Sequence, residues 1–123
     1  MESQKLSFQR QQSYEILFGC DILPEVAGKA SRMGFNRRCV VVTNEVVAKW
    51  YLEPFCNELK NRHFDVERIV LPDGETTKTL QTASDLYSKL VSLEIDRKSL
   101  IFALGGGVIG DLAGFVAATF KRG

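Results

Sequence analysis

The sequence predicts an α/β fold, a doubly wound parallel sheet preceded by an N-terminal β-hairpin. Three observations carry this expectation. Cys39 to Thr43 and Leu100 to Leu104 are short continuous apolar runs rather than alternating ones, the pattern of strands covered on both faces. Between them lie two stretches with apolar residues spaced three and four apart, the pattern of amphipathic helices. Leu104 then runs directly into Gly105-Gly106-Gly107, and a helical pattern starts at about Gly110. Strand, glycine turn and helix follow one another.

In chain order, Lys5 to Gln9 and Ser13 to Phe18 are expected to form the hairpin around a polar Arg10-Gln11-Gln12 turn, with Tyr14, Ile16 and Phe18 on one face. Ile22, Val26, Ala27, Ala30 and Met33 supply a helical stripe, and Gly34 is placed to end that helix in a left-handed conformation. Cys39 to Thr43 is the first parallel strand. From about Val46 to Arg62 the spacing of Val47, Trp50, Tyr51, Phe55 and Leu59 predicts a helix that Pro54 kinks or splits, with Trp50 and Tyr51 as packing residues. His63, the single histidine, falls beyond the helix end and has no partner at metal-ligand spacing. Phe64 to Leu71 is the next strand, ending at the turn Pro72-Asp73-Gly74-Glu75. Leu80, Ala83, Leu86, Tyr87, Leu90 and Val91 mark a strong amphipathic helix whose job is core packing, and the charged loop Asp96-Arg97-Lys98 leads to Leu100.

The polar residues cluster where these strands end. Gly105, Gly107 and Gly110 fit the spacing G-x-G-x-x-G, in which bare backbone approaches a pyrophosphate and the N–H groups of a helix N-terminus point at the anion. The same spacing also serves in glycine turns that bind nothing. Gly110 and Gly114, with Ala113, Ala117 and Ala118 nearby, give the last helix a small-residue face that can lie close to a sheet or another helix. Asp111 is either a simple N-terminal charge or a residue beside a ligand, facing a hydroxyl or amide rather than a phosphate. In open parallel sheets ligands sit beyond the carboxyl ends of strands, which makes Thr43, Asn44 and Glu45 candidates for ribose contacts, with capping of the next helix as the alternative. Glu75 and Lys78, three residues apart after a turn signal, read as a turn and capping pair before a helix.

Composition narrows the function classes. A formal charge of +1 from 16 basic and 15 acidic residues gives no net pull toward nucleic acid or an anionic membrane, so an anion site must be local. The chain of 123 residues has room for one domain of ordinary size, and 45% hydrophobic content supports a globular core. Cys20, Cys39 and Cys56 are odd in number and widely spaced, which indicates neither a disulfide framework nor a zinc knuckle and suits a reducing, cytoplasmic setting. The polar start MESQKLSFQRQQ does not resemble a secretory leader, and no apolar run approaches the roughly 20 residues of a membrane span.

Three segments together, VVVTNE at Val40 to Glu45, PDGETTK at Pro72 to Lys78 and GGGVIGDLAGFVAATFKRG from Gly105 to Gly123, resemble the N-terminal part of 3-dehydroquinate synthase, in that family's order and at about its spacing. The resemblance covers the whole chain and implies a Rossmann-like NAD-binding domain over residues 1–123. That domain is incomplete relative to the family, whose members continue into a helical, metal-binding domain. It implies NAD contacts at Asn44, Glu45, Asp73, Glu75, Lys78, Gly106, Gly107, Val108 and Asp111, with Asn44 near the adenosine half. It also implies that Arg122 holds the substrate's phosphate. The family uses NAD catalytically, with a divalent metal, zinc or cobalt, held by a glutamate and two histidines beyond the position of Gly123, so no catalytic residue and no metal ligand is expected in this chain.

Three functions follow as expectations. The first is the NAD-binding portion of a 3-dehydroquinate synthase of the shikimate pathway, unable to turn over alone and expected as a homodimer. The second is a non-catalytic half-domain that self-associates or pairs with a full-length homologue through exposed sheet edge. The third is the corresponding half of another sugar-phosphate cyclase or glycerol dehydrogenase-like enzyme.

Overall fold

A computed structural model describes residues 2–7, 13–18, 23–34, 36–96 and 98–120. The chain opens with a two-stranded antiparallel sheet, β1 (Glu2–Ser7) against β2 (Ser13–Phe18), Glu2 opposite Phe18 and Ser7 opposite Ser13. The expected hairpin is present, with its first strand beginning earlier than Lys5. Backbone pairing along the full length of β2 recruits Glu2 to Gln4, whose residue types give no strand signal. Phe8 and Gln9 and the expected turn at Arg10 to Gln12 lie outside the described residues.

Helix α1 (Leu23–Ser31) leads to Gly34, whose φ of +79° provides the left-handed residue expected there. The second sheet is parallel, with β3 (Arg38–Asn44) in the centre between β4 (Asp65–Leu71) and β5 (Leu100–Leu104). Cys39 pairs with Val66 on one side and Leu100 on the other, and Thr43 with Val70 and Leu104. From Cys39 to Asn44 every residue of β3 is buried, as its unbroken apolar run requires. Between β3 and β4 run α2 (Glu45–Val47), a π-helical segment Ala48–Leu52 and α3 (Glu53–Lys60); between β4 and β5 come a 3₁₀ turn, Glu75–Thr77, and α4 (Leu80–Ser92); α5 (Gly107–Thr119) follows β5.

The alternation of β3 divides the core into two layers. Val40 and Val42 face Ile69, the α4 residues Ala83, Leu86 and Leu90, and the α5 residues Ile109, Leu112, Ala113 and Val116. Cys39 and Val41 face Ala27 and Ala30 of α1 and Phe55, Cys56 and Leu59 of α3, where Phe55 meets Phe102 edge to face at 5.2 Å. Helices on both faces of a parallel sheet make the domain doubly wound, as predicted.

Several side chains differ from the periodicity. Trp50 and Tyr51, expected to pack, are 72% and 53% exposed. Pro54 has no N–H to donate to the carbonyl four residues back, and the turn before it widens into the π segment. That extra residue brings Leu52 into line with Phe55, Cys56 and Leu59 and turns the two aromatics outward. Leu80 and Val91, expected in the α4 stripe, are exposed because the layer centred on Ala83, Leu86 and Leu90 leaves them at its margins. Met33 likewise faces solvent beyond the end of α1. Phe64, expected to start this strand, precedes β4 instead and is buried.

Two helices end on left-handed residues that are not glycine. His63 (φ 68°) donates to Lys60 O while Phe64 N–H reaches Leu59 O, and Glu94 (φ 60°) repeats the pattern with Val91, Ile95 and Leu90. In both, buried apolar residues flank the turn, Leu59 with Phe64 and Leu90 with Ile95, and hold the strained residue in place. Glu94→Gly is expected to raise the unfolding free energy by about 1 kcal/mol, the cost of a left-handed non-glycine residue; urea denaturation giving a fall instead would overturn this account.

Burial pushes the Cys39 thiol from an ordinary 9.0 up to about 12, with Cys56 and Asp65 adding to the effect. As pH rises above 9 the unfolded chain therefore releases a proton that the native state retains, and stability falls. Native Cys39 and Cys56 are expected to resist alkylation and to react once denaturant is added. Mass mapping of the labelled sites checks this, and modification of Cys39 in the native chain would contradict its burial.

Candidate cofactor-binding site

The topology opens a crevice at one place. From β3 the chain passes to β4 on one side and then crosses to β5 on the other, so the direction of strand addition reverses between β3 and β5. The helix that follows β3 packs on one face of the sheet and the helix that follows β5 packs on the other. Their connections diverge at the carboxyl ends of neighbouring strands, which is where ligands enter doubly wound sheets. Thr43 ties these ends together, its hydroxyl donating to Leu104 O at 2.5 Å. That hydroxyl is thereby committed within the sheet, and Thr43 is buried rather than offered to a ribose.

Asn44 ends β3. Its Oδ1 accepts from Val47 N–H at 2.8 Å and caps α2, while its Nδ2 donates to Asp73 Oδ1 at 3.3 Å. Capping and site placement, the two alternatives for Asn44, are thus carried by different atoms of one amide. Glu45 is exposed at the first position of α2. Asp73 lies in the turn after β4, where Gly74 at φ +109°, ψ 164° occupies backbone space essentially closed to other residues. Glu75 opens the 3₁₀ turn and its carbonyl accepts from Lys78 N–H at 3.0 Å. The buried Thr77, which its sequence context does not distinguish, closes the turn with a 2.9 Å bond to Pro72 O.

The glycine turn follows β5. Helix α5 begins at Gly107, three residues before the expected Gly110, because the glycines themselves form its first turn. Gly106 is its N-cap and offers no side-chain cap. The first bond of the helical ladder runs from Gly110 N–H to Gly106 O at 3.0 Å, so the N–H groups of Gly107, Val108 and Ile109 precede it. A Cβ at Gly106 or Gly107 would meet nothing within 4 Å, whereas one at Gly105 would sit 3.1 Å from Ile109 Cβ. Gly105 is therefore a packing glycine, and Gly106 and Gly107 leave bare backbone facing open space. An uncapped, unobstructed amino terminus of a 13-residue helix suits a phosphate group. The small-residue face at Gly110 and Gly114 is exposed rather than packed on the sheet, and a Cβ at either position meets nothing within 4 Å.

Lys78 Nζ lies 2.7 Å from Asp111 Oδ2, which joins the turn after β4 to the start of α5. The hydrogen bond that Lys78 donates to Asp111, and then the aspartate's charge, raise the lysine's pKa above its ordinary value. Beside this pair a groove of about 390 Å³ runs between α4 and α5, lined by Leu80, Ala83, Leu112 and Phe115 as well as Lys78 and Asp111. Periodicity alone assigned Leu80 to the core, and Phe115 carried no signal of its own. The expected site residues thus form two polar pairs, Asn44 with Asp73 and Lys78 with Asp111, at the same edge of the sheet as Gly106, Gly107 and Val108. Arg122 lies outside the described residues. His63 stands at the amino end of β4, the opposite edge, and no group of three potential metal-binding side chains occurs among the described residues.

The fold is shared with two solved synthases. The chain superposes on 2-deoxy-scyllo-inosose synthase complexed with carbaglucose-6-phosphate, NAD+ and Co2+ with a TM-score of 0.86 at 24% identity, over 99% of this chain and 33% of that one. On 2-epi-5-epi-valiolone synthase from Streptomyces hygroscopicus subsp. jinggangensis 5008, with NAD+ and Zn2+ bound, it superposes with a TM-score of 0.76 at 22% identity, over 95% and 32%. Residues 68–123 match the 3-dehydroquinate synthase N-terminal family. The chain is 42% identical over 113 residues to 3-dehydroquinate synthase of Geotalea uraniireducens (strain Rf4), covering 92% of this chain and 31% of that protein. It is homologous to the N-terminal part of 3-dehydroquinate synthase and spans about a third of the length of the curated relatives it matches.

Gly105→Ala is expected to cost about 1–3 kcal/mol by overpacking against the first turn of α5, while Gly106→Ala leaves the unfolding midpoint nearly unchanged. Equal losses at the two positions would show that the turn needs glycine for conformation, not for space.

Proposed function

We propose that these residues form the NAD-binding part of a 3-dehydroquinate synthase, the enzyme that converts 3-deoxy-D-arabino-heptulosonate 7-phosphate to 3-dehydroquinate with loss of phosphate. The observation that carries this is the convergence of an uncapped glycine helix start, an amide–carboxylate pair and a lysine–aspartate pair at the strand ends flanking the reversal. The solved relatives that hold NAD+ with Co2+ or Zn2+ support the same cofactor here. The open backbone at Gly106 and Gly107 fits the group.

In this reading the N–H groups of Gly107 and Val108 hold the pyrophosphate, and Lys78, paired with Asp111, lies beside them. Asn44 has its Oδ1 engaged by Val47, which leaves Asp73 and the Asn44 Nδ2 to meet ribose hydroxyls. Glu45 and Glu75 flank the same edge, and Arg122 takes the substrate's phosphate. NAD+ bound here supplies a hydride acceptor that is regenerated within each turnover. The metal is held outside the described residues, and the 123 residues by themselves bind cofactor without completing the conversion.

A second reading is self-association through β5. Its five residues, Leu100 to Leu104, are all apolar, and its outer edge is unpaired among the described residues. The other edge strand, β4, carries Asp65, Glu67 and Arg68, charges of the kind that blunt an edge. A homodimer is compatible with either reading.

Calorimetric titration of the 123-residue chain with NAD+, followed by a phosphate-release assay with the heptulosonate phosphate and zinc, tests the proposal. Binding without phosphate release is expected. Absence of binding would remove the cofactor assignment, and sedimentation would then show whether a dimer forms. Phosphate release would overturn the claim that the conversion needs more than these residues.

A further inference from the structure

We propose that Lys78 and Asp111 work as one unit at the glycine turn, the lysine neutralising the aspartate so that the amino terminus of α5 can accept a pyrophosphate. This rests on the cofactor reading above. Asp111 lies one helical turn beyond Gly107, at the amino-terminal end of α5 where the first N–H groups have no partner in the helical ladder. A carboxylate there is favoured by the helix dipole, yet it opposes any phosphate approaching the same N–H groups. Alone, it would make the turn a poor anion site.

Lys78 removes that conflict, and the fold places it to do so. The two residues are 33 positions apart, and the lysine arrives on a turn held by Gly74, by the Thr77 hydroxyl on Pro72 O and by Lys78 N–H on Glu75 O. Asp111 in turn raises the pKa of the ammonium, through the hydrogen bond it accepts and then through its charge. Both side chains are about half exposed, 47% and 60%, and an ion pair so open to solvent adds little to stability. Holding the fold is therefore not its main consequence. With the pair intact the local charge sums to zero, and the partial positive charge of the α5 terminus remains available to an anion. With the lysine removed, the carboxylate faces the pyrophosphate uncompensated.

The test is a double-variant cycle on the 123-residue chain, with NAD+ as ligand. Lys78→Met is expected to weaken binding about tenfold; in the Lys78→Met background Asp111→Asn should restore at least about fivefold, a larger gain than the same change gives with Lys78 in place. Lys78→Arg should retain most of the affinity, and unfolding midpoints of all variants establish that they fold. The recovery should shrink in about 1 M salt, where the screening length is about 3 Å. A double variant no tighter than Lys78→Met would mean that the two residues contact the ligand independently, which overturns the inference and leaves the cofactor reading standing. Recovery unaffected by salt would assign the effect to packing and also overturn it. If the unaltered chain does not bind NAD+, the cofactor reading fails and the inference with it.

Discussion

The structure depends on the burial of β3. A strand whose residues from Cys39 to Asn44 are all inaccessible to water must have its backbone paired on both sides and its side chains covered on both faces. Pairing on both sides supplies β4 and β5. Covering both faces needs α1 and α3 on one side and α4 and α5 on the other. Because the strands are parallel, each connection returns across a face, and the chain that leaves β3 separates from the chain that leaves β5.

The site is a consequence of that separation. At the carboxyl ends of β3 and β5 no helix can cover both connections, and the backbone there has to be satisfied locally. The Thr43 hydroxyl closes the gap between the two strands, the Asn44 amide caps α2, and the first N–H groups of α5 are left without a capping side chain. Glycine is used for two different physical reasons within three residues. At Gly105 a methyl group would crowd Ile109 at 3.1 Å, and at Gly106 and Gly107 bare backbone faces open space. Lys78 completes the arrangement from a turn whose geometry depends on Gly74.

Where periodicity and structure part, a specific backbone feature intervenes. Pro54 forces the wide turn that expels Trp50 and Tyr51, although their spacing from Phe55 and Leu59 is helical. The glycines of the turn enter α5 themselves, because their flexibility is no obstacle once Ile109, Leu112 and Val116 are anchored in the core. His63 and Glu94 adopt left-handed conformations because the buried pairs beside them, Leu59 with Phe64 and Leu90 with Ile95, hold those turns closed.

The amino-acid sequence by itself determined the class of fold, the central strand, the helices that cover it and the chain positions of the glycine turn and of Asn44, Asp73, Lys78 and Asp111. The fold elements and the glycine turn follow from local signals, unbroken apolar runs, helical spacing and turn residues at strand ends, whereas the choice of Asn44, Asp73, Lys78 and Asp111 came with the resemblance to 3-dehydroquinate synthase. Tertiary structure alone decided which polar groups face one another. Asn44 and Asp73 are 29 residues apart and Lys78 and Asp111 are 33 apart, and no periodicity connects positions on different loops. Their meeting depends on the parallel register of β4, β3 and β5, which sets all three strand ends at one edge, and on the reversal of strand addition, which opens that edge between β3 and β5.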